Sequence, residues 1–312
     1  MELIRGIHNI KPRHRGCVLT IGKFDGVHKG HQAVLANLVE KAKALNLPSA
    51  VMVFEPQPEE LFMPEQAPAR LSRLRDKYNA LKAQGIDRLL CVNFSTAFAA
   101  QSPKEFVQDL LVDRLGVKFL VVGDDFRFGN KRKGDFDYLQ SASAEYGFDV
   151  VSTTSFRVDD YRISSTAVRE ALSKGDFDTA HRMLGQSFAI SGKVVHGEKN
   201  GRTIGFPTAN MLLRRHKTPI HGVFAVLVRW QDKCFKGVAN LGSRPTLNGQ
   251  RLQLETHIFD FDKDVYGQRL RIEFIAKIRD EAKFESFEQL KQQIQEDAIQ
   301  AKECLSTINL NG

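Results

Sequence analysis

The stretch "CVLTIGKFDGVHKGHQ", Cys17 to Gln32, decides how the first half of the chain is read. It opens on a short apolar run of β character and leads into "HQAVLANLVEKAKALNL", whose Val34, Leu35, Leu38, Val39, Ala42 and Leu45 keep one helical face. A strand therefore turns through glycines into a helix. Gly22, Gly26 and Gly30 are spaced four apart, which departs from the GxGxxG dinucleotide fingerprint. What remains is a turn that presents free backbone N–H groups and the positive end of a helix dipole to an anion. His28 and His31 then place two imidazoles within reach of one phosphate chain, where a proton on either neutralises charge building on phosphorus.

The same alternation continues outward. "SAVMVFEP", "DRLLCVNF" and "KFLVVGDDF" read as strands, separated by the helical "RLSRLRDKYNALKAQG" and "SPKEFVQDLLVDRLG". Such βαβ order predicts an α/β domain with a parallel sheet between helices and ligands at the carboxyl ends of its strands. From about residue 186 the period becomes two. In "GVFAVLVRW" Phe224, Val226, Val228 and Trp230 alternate with Val223, Ala225, Leu227 and Arg229, and "RLRIEFIAKI" sets Leu270, Ile272, Phe274, Ala276 and Ile278 on one face. With "FAISGKVVHG", "KCFKGVANLG" and "QLETHIFDFD" these make about six antiparallel strands, enough for a small closed barrel. A C-terminal helix follows in "FESFEQLKQQIQEDAIQAKECL". The expected domains are residues 1–185 and 186–312, with the hinge near "MLGQSF".

Composition bounds the function. A chain of 312 residues exceeds one ordinary core, and 42% hydrophobic with 26% charged residues excludes disordered and fibrous classes. The N-terminal residues lack a signal-peptide core and no apolar run approaches a membrane span of about 18 residues, so a cytoplasmic protein without membrane contact is expected. Cys17, Cys91, Cys234 and Cys304 lie far apart, which fits buried thiols in a reducing compartment and argues against zinc. Lys and Arg number 45 against 37 Asp and Glu. That excess favours anionic ligands, nucleotides or nucleic acid, without choosing between them, and the lack of a long basic block favours a solvated surface with a few phosphate sites over a nucleic-acid groove. Oligomeric state is not read from these features.

Two further phrases carry chemistry. In "RISSTAVREAL" Ser164, Ser165 and Thr166 open a helix; with Thr166 as N-cap, Arg169 takes the third helical position, a cation where the dipole prefers an acid. A bound anion would offset that mismatch, and an ordinary cap with a surface arginine is the alternative. "VVHGEKNGRTIGFPTANM" fails as a P-loop, because three residues separate Gly197 from Gly201 and Arg202 stands where Walker A needs Lys. In "PTAN", however, Thr208 and Asn210 share one face of an extended chain and offer two hard oxygens to a magnesium ion completed by ATP phosphates and water, unless they are simply edge-strand polar residues.

"GKFDGVHKGHQ", "FEPQP", "VVGDDFRFG" and "RISSTAVRE" resemble, in order, the nucleotidyltransferase module of the bacterial bifunctional riboflavin kinase/FAD synthetases. "GRTIGFPTAN", "GVFAV", "GVANLGSRPT" and "LETHIFDFDKDVYGQRLRIEFIAKIR" resemble their kinase module, so the likeness spans essentially the whole chain. The resemblance implies a Rossmann-like domain that adenylylates FMN to FAD and a barrel that phosphorylates riboflavin to FMN, each with ATP and Mg²⁺. It implies that His28 and His31, within a motif containing Gly22, Phe24, Asp25 and Gly30, act on ATP phosphates, with Ser164, Ser165, Thr166 and Arg169 closing over them. Phe54, Pro56, Asp125 and Phe128 would border the flavin of the first reaction. In the kinase half it assigns Gly201 and Arg202 to phosphate, Thr208 and Asn210 to Mg-ATP, Glu255 to catalysis, and Arg244 and Arg279 to flavin. Two departures stand out: Gln57 replaces a His that many relatives carry, and Phe224 replaces the commoner Tyr.

The chemistry agrees with that division. An FMN phosphate has a second pKa of about 6 and attacks without a general base. A ribityl hydroxyl is a far weaker acid, so its phosphorylation gains from a carboxylate such as Glu255. The rival reading, a catalytically silent flavin- or nucleic-acid-binding regulator on the same fold, has no use for the complete set His28, His31, Thr208, Asn210 and Glu255.

Overall fold

Strand β2 (Cys17–Ile21) is buried at every residue, because the sheet that it centres is covered on both faces. The computed structural model describes residues 1–153, 163–197, 205–213, 217–246 and 249–310. These fall into two units, Met1–Pro68 with Ser72–Ile163, and Ala69–Leu71 with Ser164–Gly312.

The first unit is an α/β domain. Strands β1 (Glu2–Arg5), β2, β3 (Ser49–Glu55), β4 (Arg88–Asn93), β5 (Val117–Val122) and β6 (Asp149–Ser152) form a parallel sheet in the order β1-β4-β3-β2-β5-β6. On one face Val18, Val51, Leu89 and Val121 pack with Val34, Leu35 and Leu38 of α1 (Lys29–Ala44) and Leu81 of α3 (Leu74–Ala83). On the other, Leu19, Met52, Leu90 and Leu120 meet Leu110 and Leu111 and Leu139 of α6 (Phe136–Tyr146). The short α2 (Pro58–Phe62) follows β3, and α4 (Thr96–Ala99) follows β4. The helix expected over Ser102–Gly116 begins as α5 (Pro103–Glu105) and widens into a π-helix over Phe106–Arg114, which keeps Phe106, Val107, Leu110 and Leu111 all buried. The chain leaves β2 towards β3 and β4 on one side and returns to β5 and β6 on the other. The order therefore reverses between β2 and β5, and the crevice beyond their carboxyl ends is the topological switch point.

The second unit is a nearly closed antiparallel barrel. Strands β7 (Ala189–Lys193), β8 (Ala209–Leu212), β9 (Gly222–Trp230), β10 (Lys233–Thr246), β11 (Gly249–Ile258) and β12 (Arg269–Arg279) run in the order β7-β12-β9-β10-β11-β8. A bridge from Val195 to Asn210 joins the two ends of that order. The alternation read in β9 is borne out: Phe224, Val226 and Val228 enter one core, and Val223, Ala225 and Leu227 pack with Ala298, Ala301 and Leu305 at the C-terminal helix α9 (Phe287–Cys304).

Strand β12 departs from its expected phase. Of two register shifts in its pairing with β9, the first, between Phe274 and Ala276, inserts one residue, so Leu270, Ile272 and Phe274 stay in the first core while Ala276 and Ile278 join the helix side. One extra residue in a strand moves the side chains that follow it to the opposite face, and the second shift, between Lys277 and Arg279, restores the phase, so Arg279 lies opposite Val223 and meets Asp297 of the C-terminal helix.

Helices α7 (Ser165–Ser173) and α8 (Phe177–Leu184) pack in this second unit. Val168, Leu172, Phe177 and Leu184 join the barrel core, and the Phe177 ring lies 5.7 Å from Phe224 and 6.5 Å from Phe274. Phe224 is 1% exposed, so its ring serves packing. Among the described residues no helix is long and apolar enough to cross a membrane.

Candidate active sites

In the first unit the turn after β2 is held by unusual backbone. Phe24 and Val27 adopt φ of 46° and 42° around Gly26 at 82°, left-handed values that cost energy in non-glycine residues and accumulate at ligand sites. Asp25 braces the turn: its Oδ1 accepts from the Ser72 N–H at 2.9 Å and the Ser72 hydroxyl at 3.1 Å, while Ser72 Oγ accepts from the Gly26 N–H at 3.0 Å. His28 is the N-cap of α1, and its Nδ1 accepts from the His31 N–H at 3.3 Å. An accepting Nδ1 carries no proton, which leaves Nε2–H as the donor. The two imidazoles stack with centroids 3.7 Å apart, and Phe24 flanks His31 at 4.9 Å. A Cβ on Gly30 would lie 3.0 Å from the Ile163 carbonyl oxygen and 3.2 Å from His28 Nδ1, so the packing of this turn leaves little room for a side chain.

The loops after β3 and β5 flank that turn along the sheet. Phe54 and Pro56 close β3, where Gln57 is buried as the N-cap of α2 and its N–H donates to Glu60 Oε2 at 2.9 Å. After β5, Asp125 folds back over Gly123, and Phe128 is buried with its ring over Gly134. Rings connect these loops: Phe54 to Phe98 at 5.9 Å, Phe98 to Phe106 at 6.3 Å, Phe106 to Phe128 at 5.0 Å, and Phe94 to both Phe54 and Phe62. Sequence reasoning missed Phe62, Phe94 and Phe98. Phe62 stands 55% exposed, with its ring against Phe94 at 5.9 Å.

In the second unit Ser164, rather than Thr166, caps α7, its Oγ accepting from the Ala167 N–H at 3.2 Å. Thr166 is then the second helical residue and Arg169 the fifth, so the expected clash of Arg169 with the helix dipole does not arise. Arg169 Nε instead donates to the Ala69 carbonyl at 2.6 Å.

Around the barrel mouth Thr208, Asn210 and Glu255 come together. Asn210 pairs with Glu255 across β8 and β11, and its Nδ2 donates to the Thr208 carbonyl at 3.2 Å and hydroxyl at 3.3 Å. Gly197 lies against that amide: a Cβ there would stand 2.6 Å from Asn210 Nδ2. A cavity of about 340 Å³ is lined by Thr208, Thr256, Lys263, Asp264 and Tyr266. A second, of about 320 Å³, is lined by Thr208, Glu255, His257, Arg279 and Phe287 of α9. Thr208 belongs to both walls. Arg279 makes a bidentate pair with Asp297 of α9 at 2.8 and 2.7 Å and lies over the Phe284 ring at 5.6 Å. Gly201 and Arg202 lie outside the described residues, as does the side chain of Arg244.

Each unit thus gathers groups of a kind that phosphate chemistry uses, one backbone N–H groups and imidazoles, the other hard oxygens and a carboxylate, and the families that the two units match define a two-module transferase. A FAD synthetase family model matches residues 10–167, and a riboflavin kinase model matches residues 184–305. The chain is 53% identical over 305 residues to a bifunctional riboflavin kinase/FMN adenylyltransferase of Escherichia coli strain K12, covering 97% of each. It is 53% identical over 303 residues to the protein of that name from Haemophilus influenzae, covering 97% of this chain and 98% of the relative. A crystal structure of a macrolide-efflux protein from Streptococcus pneumoniae shares its fold, with a TM-score of 0.77 at 30% identity over 99% of this chain and 100% of that one. The chain belongs to the bifunctional riboflavin kinase/FMN adenylyltransferase family.

Proposed function

We propose that the barrel phosphorylates riboflavin to FMN through Glu255, Thr208 and Asn210, and that the α/β domain adenylylates FMN to FAD through His28 and His31. The observation that carries the kinase assignment is the position of Thr208, on the wall common to two cavities. One is bordered by Lys263 and Tyr266, suited to a nucleotide. The other places aromatic and apolar groups of α9 opposite Glu255, suited to a flavin whose ribityl end reaches the carboxylate. Phosphoryl transfer then runs from the first to the second past Thr208 and Asn210.

The residues fit Mg²⁺. Thr208 and Asn210 carry neutral hard oxygens on neighbouring side chains, the Asn210 amide turning its nitrogen to Thr208 Oγ1 and its oxygen to Gln253, and among the described residues no group of three or more His, Cys, Asp or Glu is placed to hold a metal. That donor set suits a cation whose charge is balanced by ATP phosphates. When bound, Mg²⁺ would neutralise charge on those phosphates. Glu255 accepts the proton of the ribityl 5′-hydroxyl as it attacks, and Arg279, held by Asp297, lines the flavin cavity.

In the first unit the α1 N-terminus and the His28 Nε2–H stabilise charge on the α-phosphate while the FMN phosphate attacks and pyrophosphate leaves. Gly22, Phe24 and Gly30 shape the turn, and Asp25 holds it. Phe54, Pro56, Asp125 and Phe128 border the flavin, with Phe62 as the exposed ring. Ser164, Ser165, Thr166, Arg169, Gly201, Arg202 and Arg244 keep the phosphate and flavin roles that the resemblance gives them. The adenylyltransferase domain is assigned to residues 1–185 and the kinase to 186–312, working in the cytoplasm on small molecules without nucleic acid or membrane.

Chromatography of riboflavin incubated with the protein, ATP and Mg²⁺ tests this reading. FMN appears first and FAD second. Asn210→Ala loses FMN formation and keeps FAD formation from supplied FMN, and His28→Ala does the reverse. Loss of both activities in either folded variant would overturn the partition.

A further inference from the structure

Gln253 touches both groups on which the kinase reading rests. It shares one face of β11 with Glu255, two residues on, and its Nε2 lies 2.7 Å from Asn210 Oδ1 and 3.0 Å from Glu255 Oε1. The two hydrogens of that amide nitrogen are thus both donated. Asn210 has its own nitrogen turned towards Thr208, so its oxygen must face Gln253; a flipped Asn210 would set two NH₂ groups against each other. An amide oxygen has two lone pairs, and one remains for a cation after Gln253 takes the other.

Strand pairing does not need this contact. Backbone pairing from Thr256↔Ala209 to Gln253↔Leu212 already joins β11 to β8. A half-buried Gln that spends both donors on a proposed metal ligand and a proposed base is placed to set the distance and orientation between them.

We propose that Gln253 is a positioning residue for phosphoryl transfer, holding the Asn210 carbonyl towards Mg-ATP and the Glu255 carboxylate towards the flavin hydroxyl. This rests on the assignment of Asn210 and Glu255 made above. Gln253 itself contacts no reacting atom; it acts through its two neighbours.

The test compares Gln253→Met, which matches the length without a donor, and Gln253→Glu, which keeps the shape and sets a carboxylate against Glu255. In Gln253→Met, kcat for FMN formation falls roughly 10- to 100-fold, while KM for riboflavin stays within about twofold and FAD formation from supplied FMN is unchanged. Calorimetric affinity for ADP with Mg²⁺ falls about tenfold, whereas affinity for ADP in EDTA does not change. Gln253→Glu loses at least as much kinase activity. Unaltered kcat and Mg²⁺-dependent ADP affinity in either folded variant overturns the inference, as does a loss matched by an equal fall in metal-free ADP binding. Asn210→Ala and Glu255→Gln run in parallel separate the two levels. If they are inactive while Gln253→Met is not, positioning alone is wrong; if they remain active, the site assignment fails and takes the inference with it.

Discussion

His28 is given two jobs with one ring, since Nδ1 caps α1 and the proton is left on Nε2. Asparagine is a good N-cap but has no imidazole. His28→Asn should therefore keep its thermal stability to within about 1 kcal/mol of the unaltered protein while FAD formation falls about 100-fold, whereas His28→Ala loses the cap as well. Denaturation curves read beside adenylyltransferase rates separate the two roles; equal loss of stability in both variants would remove the capping argument. The cysteines divide as simply. Burial pushes the Cys17 thiol up to about 12, so it carries almost no thiolate, and Cys304 is exposed. A thiol reagent at neutral pH should modify Cys304 in the folded protein and reach Cys17 only on unfolding, as peptide mapping would show.

At the scale of elements, α9 is joined to the barrel by more than apolar contact. Asp297 is 4% exposed, and its carboxylate accepts from two guanidinium nitrogens of Arg279 and from Gln293. Asp297→Ala leaves a partly buried guanidinium without its partner, a change that costs about 3 kcal/mol in such pairs. The second unit should lose stability by that order and KM for riboflavin should rise, because Arg279 and α9 both line the Glu255 cavity. An unchanged melting temperature with unchanged riboflavin KM would show that the pair holds nothing. The bulge in β12 belongs to this scale too. It turns Ala276 and Ile278 towards α9, which is what gives the helix an apolar seat at this end of the barrel.

Across the molecule, the second unit includes more chain than its strands. Leu71, Val168, Leu172, Phe177 and Leu184 enter its core, so a fragment beginning at Gln186 exposes the Phe224 and Phe274 rings that α8 covers. A fragment beginning at Ser164 should melt cooperatively at a higher temperature than one beginning at Gln186. Equal melting of the two would show that α7 and α8 add nothing to this core. The pH dependence of the same unit has a definite sign. Burial is the largest cause lowering the pKa of His257, with Lys302 adding to it, while its hydrogen bond to the Pro207 carbonyl works the other way. The folded state therefore disfavours imidazolium: stability is full above the ordinary imidazole value of about 6.5, falls as pH drops through it, and levels off below the folded value. Thermal melts from pH 7.5 to 5 should show this loss, and His257→Asn should flatten it.

The sequence by itself determined the two periods, the parallel sheet and the barrel, and it singled out candidates for the two sites, His28 and His31 by their pattern and Thr208, Asn210 and Glu255 by the family resemblance of their motifs. Each of those signals is local: alternation in β9, the apolar face of α1, glycines beside histidines at a strand end. Only the tertiary structure decided the rest. Which of three hydroxyls caps α7 depends on which oxygen meets the Ala167 N–H. The phase of β12 changes where it pairs with β9. The core that α8 joins is settled by the burial of Phe177 against rings far along the chain. Gln253 gains its neighbour Asn210 from another strand, 43 residues away in the chain. Local pattern fixes which face of an element is apolar, but a contact between distant residues exists only once packing has brought them together.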